Sequence, residues 1–113
     1  MESKFAAPDG LWIIDAKGKT VYVNEDMADM LGTTSSDLLG TDSFMFVYPE
    51  DIDAAKLLFA AKAAGSRAPF HFKLRRVDGH PIWADVQATP MRNAAGQFIG
   101  IVGSFTVSEL QTK

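Results

Sequence analysis

The side chains with the most direct route to chemistry are two histidines, His71 and His80, set among serines and aspartates. Hydrolysis by a serine needs that nucleophile on a strained turn, a histidine within hydrogen-bond reach and an acid behind it. No Gly-x-Ser-x-Gly elbow occurs anywhere in the chain. His71 falls on an alternating apolar and polar run, and the hairpin register derived below sets Asp85 opposite it. That is the arrangement of a cross-strand structural contact. His80 follows a turn. Across such a hairpin the two histidines are too far apart to share a metal ion, and no carboxylate cluster helps them. Cysteine is absent, which removes disulfides, thiolate metal sites, nucleophilic cysteine and cysteine-linked chromophores together. No catalytic residue and no metal site are therefore expected.

The elements that must position everything else lie between Phe70 and Val107. Phe70, Phe72 and Leu74 alternate with His71, Lys73 and Arg75, and two more alternating runs follow, Ile82 to Met91 and Phe98 to Val107. A two-residue Asp78-Gly79 turn would put Asp85, Gln87 and Thr89 on the face of the phenylalanines. A three-residue loop, Val77-Asp78-Gly79 with Gly79 left-handed, instead sets Leu74 opposite Ile82, Phe72 opposite Ala84 and Phe70 opposite Val86. The inner face then reads large on the first strand and small on the second (Ala84, Val86, Ala88) and third (Gly100, Val102, Ser104). Space beside the small residues must be filled by helices or left as a cavity. Leu11, Ile13, Trp83, Ile99, Ile101 and Phe105 are expected on the outer face. An apolar patch of that kind needs a cover, supplied by the N-terminal segment or by a second copy in a homodimer.

Upstream, Leu11 to Asp15 and Thr20 to Val23 read as a hairpin around Ala16-Lys17-Gly18-Lys19. The first of these strands is apolar on both faces and belongs inside the sheet. Asn24 is an N-cap for a helix that carries Glu25 and Asp26 in its first turn and stops at Gly32. Thr34-Ser35-Ser36-Asp37 resembles a capping box for one further turn of helix. An apolar knot, Phe44 to Val47, precedes Pro49, expected as the first residue of the main helix with Ile52, Ala55, Leu58, Phe59 and Ala63 on its buried stripe. The order is strand, strand, helices, strand, strand, strand, an α+β domain with helices on one face of an antiparallel sheet. A chain of 113 residues with 47% hydrophobic content supports one such core and no second domain. Eleven basic residues against fourteen acidic leave no field that draws nucleic acid or anionic lipid, and Lys73, Arg75 and Arg76 read as a solvated strand edge. No apolar run approaches the roughly 20 residues of a membrane span, and the start is no signal sequence, so a cytoplasmic domain without membrane contact is expected.

These residues, from about Phe5 to Glu109, resemble the PAS domain family of bacterial sensor histidine kinases and other signalling proteins. Four matches in order carry the likeness: the hairpin ending in Asn24 with Ala28, Leu31 and Gly32; the pair Leu39-Gly40; Pro49-Glu50-Asp51; and Asp78-Gly79 followed by Trp83, Pro90, Gly96 and Gly100. The resemblance implies a five-stranded sheet in the order 2-1-5-4-3 with helices cradling a pocket against its inner face. It also implies a sensory role in a two-component or similar system, with an effector in the same polypeptide such as a histidine kinase or diguanylate cyclase. Residues 1–8 would be the remnant of an N-terminal connecting helix, and 108–113 the start of a linker. The family's third-strand Asp-x-Thr signature is replaced here by Thr106-Val107-Ser108-Glu109.

Among the family's cofactors, the adduct-forming flavin needs a cysteine, and haem needs a histidine on the long helix. Neither residue is present there. A flavin held without a covalent bond stays open, although the inner positions that would read its ring, Leu74, Ala84, Val86 and Val102, are apolar. The reading followed is a non-covalent, mostly apolar small molecule, with a pocket expected from Met27, Leu31, Phe44, Phe46, Leu58, Phe59, Phe72, Leu74, Val86, Val102 and Ser104. The alternative is a pocket collapsed by its own aromatics, in a module that dimerises or relays through the outer sheet face.

Overall fold

The computed structural model describes residues 10–109 and residue 111; the expected connecting helix at 1–8 lies outside the described residues. Five strands, β1 (Gly10–Asp15), β2 (Thr20–Val23), β3 (Phe70–Arg75), β4 (Pro81–Arg92) and β5 (Phe98–Val107), form one antiparallel sheet in the order β2-β1-β5-β4-β3. Helices α1 (Glu25–Leu31), α2 (Ser35–Leu38) and α3 (Ile52–Ala63) all lie between β2 and β3 in sequence. Those two strands are opposite edges of the sheet, so the helical segment has to cross one face to connect them.

Local side-chain chemistry fixes where that crossing starts. The Asn24 carboxamide oxygen accepts from the Met27 N–H at 2.9 Å and from the Leu11 N–H at 3.0 Å, so one side chain caps α1 and pins it to β1. Gly32, at φ 81°, ends α1 by donating to Asp29 O, while Thr33 N–H reaches back to Ala28 O. Thr34 caps α2 through the Asp37 N–H at 3.2 Å. Pro49 does not begin α3 directly. It opens a 3₁₀ turn, Pro49–Asp51, that runs into α3 at Ile52. No side chain caps this start, and the tighter i to i+3 bond from Asp51 N–H to Tyr48 O satisfies a donor that would otherwise be orphaned.

The β3–β4 hairpin has the three-residue loop. Arg76 N–H bonds to His80 O and Gly79 N–H to Arg76 O, both at 2.9 Å, with Gly79 at φ 90°. Phe70, Phe72 and Leu74 face Val86, Ala84 and Ile82. Nothing lies within 4 Å of a Cβ built on Gly79, so replacing it costs only backbone strain. Gly79→Ala should lower stability by about 1 kcal/mol, measured as a shift in the urea midpoint. A neutral or stabilising result would mean the loop readily leaves the left-handed conformation.

Two further expectations are corrected. Lys73 and Arg76 are not simply a solvated edge: the Arg76 guanidinium donates to Met30 O at 2.7 Å, and Lys73 Nζ lies 3.6 Å from Asp51 and 4.8 Å over the Tyr48 ring. They tie β3 to the helical layer. The second correction concerns β5, whose faces are reversed. Ala84, Val86, Ala88 and Pro90 pair with Val107, Phe105, Gly103 and Ile101, and Trp12 and Ile14 on β1 pair with Gly103 and Ile101. The inner face therefore carries Ile101, Gly103 and Phe105, while Val102 and Ser104 share the outer face with Leu11 and Ile13. The cause is a bulge: Met91 pairs with Gly100 but Arg92 with Phe98, leaving Ile99 as an extra residue. One inserted residue flips the phase of everything after it. Phe98, before the bulge, still packs inward against Phe59.

Candidate functional site

Between α3 and the inner sheet face lies a cavity of about 120 Å³, walled by Trp12 and Ile14 from β1, Phe44 and Val47 from the crossing segment, Ala55, Leu58, Phe59 and Lys62 from α3, and inward residues of β3, β4 and β5. Its shape follows from side-chain size. Ala55 on the helix and Ala88 and Gly103 on the sheet leave room that their neighbours do not fill. A Cβ on Gly103 would meet the Phe105 ring at 2.7 Å, so the missing side chain is what lets that ring lie across the strand. The aromatics interlock around this space. Phe59 meets Phe44 at 6.0 Å and Phe98 at 5.8 Å between centroids, and Trp12 meets Phe46 at 5.7 Å and Phe105 at 5.6 Å. The Trp12 indole N–H is satisfied by the Thr20 hydroxyl at 2.9 Å, so Trp12 offers the cavity a ring and no free donor.

Of the residues expected at the pocket, Phe44, Leu58, Phe59, Phe72, Leu74 and Val86 line it. Met27, Leu31 and Phe46 are buried in the adjoining core and do not reach its wall. Val102 and Ser104 lie on the opposite face of the sheet, because of the β5 bulge. Of the six expected on the outer face, Leu11 and Ile13 are there, and Trp83 stands on the outer side of β4 beside His71. Ile101, only 6% exposed, and Phe105 line the cavity instead, and Ile99 is the bulged residue.

Lys62 is a wall residue outside the set expected at the pocket. It sits seven residues after Ala55 and three after Phe59, on the apolar stripe of α3, where a charge is out of place. The side chain is 3% exposed; its ammonium donates to Ala68 O at 2.8 Å and stands 5.5 Å over the Phe70 ring. Burial, and secondarily the Arg67 charge, hold its pKa below the ordinary 10.5. A base with a depressed folded pKa destabilises the fold while it is protonated. That cost is present below the folded pKa and is relieved as pH rises from there to the unfolded value of 10.5. Stability relative to Lys62→Met should therefore rise on the alkaline side, read from urea midpoints between neutral pH and the start of general alkaline unfolding. A constant difference would show that the ammonium is not desolvated.

The outer face is polar around β3 and β4. His71 Nδ1 lies 2.9 Å from Asp85 Oδ1 across the strand pair, and the imidazole stacks on Trp83 with ring centres 4.7 Å apart. Both contacts are packing of the sheet surface. The chain leaving β5 is clipped to the same tryptophan: Ser108 N–H donates to Trp83 O, and the Gln111 carboxamide accepts from Trp83 N–H and donates to Trp83 O, each at 2.9 Å. Among the described residues no group of His, Asp and Glu is arranged to hold a metal ion, and no helix is long and apolar enough to cross a membrane.

Three comparisons bear on this geometry. The profile of the PAS fold matches residues 2–107. Sporulation kinase A of Bacillus subtilis is 30% identical over 103 residues, which cover 88% of this chain and 17% of that kinase. The chain thus spans about a sixth of that relative. The PAS domain of a protein from Colwellia psychrerythraea superposes with a TM-score of 0.79 at 19% identity, covering 88% of this chain and 86% of that one. The PAS domain of an HTR-like protein from Haloarcula marismortui gives 0.74 at 19%, covering 91% and 84%.

Proposed function

Because the chain belongs to the PAS fold family, we propose that it is a sensory module whose cavity between α3 and the sheet binds a small, mostly apolar molecule and passes occupancy to an attached effector. The cavity carries this reading. At about 120 Å³ it approaches the size of an engineered apolar cavity of about 150 Å³ that binds benzene or xenon. It would take one aromatic ring or a short aliphatic chain. Similarity to Sporulation kinase A favours a histidine kinase as the effector. The signal would run from α3 through Ile101, Gly103 and Phe105 on β5 to the exit segment clipped at Trp83.

Native mass spectrometry of the domain purified from cells, followed by calorimetric titration with toluene, tests the reading. A bound small molecule or saturable heat supports it. No bound mass and no heat would favour the ligand-free relay.

The outward side chains of Leu11, Ile13 and Val102, together on β1 and β5 and each partly exposed, support self-association through this face. Val102→Asp should convert dimer to monomer in sedimentation without unfolding the domain. A wild-type chain that is monomeric at high micromolar concentration would contradict the homodimer.

A further inference from the structure

We propose that Lys62 makes the α3 cavity selective for small apolar molecules that carry a carboxylate, with its ammonium as their counter-ion. This rests on the cavity being a ligand site, as read above. The ammonium has three donors, of which Ala68 O takes one at 2.8 Å, and it stands over the face of Phe70. Among the described residues no carboxylate pairs with it. The Arg67 charge, of the same sign, acts on it as well. A cation buried without a counter-ion is costly, and an apolar cavity cannot solvate it. A ligand carboxylate at the Lys62 end would supply a charge-assisted hydrogen bond while its ring or chain filled the space between Phe59, Ala88 and Gly103. A neutral ligand of the same shape would gain only the second contribution.

Lys62 also fastens the segment after α3 through Ala68 O, a role that would need no ligand. Titration of the folded domain at neutral pH with benzoate, benzamide and toluene separates the two. The wild type should bind benzoate about tenfold or more tightly than benzamide. Lys62→Met, which keeps the apolar stem, should abolish that ratio and still bind toluene. Equal affinities for benzoate and benzamide in the wild type, or a preference that survives in Lys62→Met, would overturn the proposal. Toluene binding without benzoate preference sinks it while leaving the pocket intact; no binding of any of the three sinks the pocket as well. Should Lys62→Met fail to fold, the wild-type side-chain amine can be followed by NMR. Benzoate must shift the Lys62 Nζ resonance and toluene must not; the same response to both overturns the inference.

Discussion

Gly100→Ala should either abolish folding or leave a domain destabilised by about 3 kcal/mol or more. A Cβ at this position would lie 2.2 Å from Ile14 O and 2.9 Å from the Met91 side chain, with Gly100 itself at φ 158°. The obstructing atom is backbone of the neighbouring strand, which cannot move without breaking the β1–β5 pairing. The contrast with Gly79→Ala is the control, since that site also has a positive φ, at 90°, but only open space around it. Urea unfolding of both variants checks the pair. Equal small losses would mean that the β1–β5 approach at the bulge is looser than the structure has it.

That glycine also marks the limit of what alternation could reveal. The β3–β4 register followed from a polarity argument, because a one-residue slip there would have buried Asp85 and Gln87 with the phenylalanines. No such penalty discriminates on β5: Ile99, Ile101 and Phe105 stand on one parity, Val102 on the other, and neither choice buries a charge. Strict alternation from Phe98, which does face inward, to Val102 and Ser104 runs straight through a bulge that inverts it. The helix caps, the glycine stops and the strand order were legible because each depends on residues close in sequence or on the family pattern. The cavity was legible as a taper of large against small side chains. Its β5 and β1 walls depend on packing between distant elements that periodicity does not encode, whereas Lys62 falls on the apolar period of α3 and is visible there as a misplaced charge.

Ile101→Asp gives the second large effect. On the expectation that Ile101 faces outward, a charge there would only break a dimer. With the side chain 6% exposed between Ile14 and Pro90, the aspartate must instead be buried without a partner. The loss should be about 4 kcal/mol or more, enough to unfold a domain of ordinary stability. Val102→Asp, one residue on, should leave the melting curve nearly intact, so the two variants together report which face each residue occupies. Circular dichroism melting decides it: a folded Ile101→Asp and an unfolded Val102→Asp would reverse the assignment of faces and remove Ile101 from the cavity.

The claim that an apolar molecule enters between α3 and the sheet is tested most directly by amide and methyl NMR spectra recorded with and without toluene. Saturable shifts are expected, concentrated on Ala55, Leu58 and Phe59 of α3 and on Ile101 to Phe105 of β5, extending to Trp83 and Gln111 at the exit clip. Spectra that do not change, or that change only on the outer face around His71 and Asp85, would contradict it.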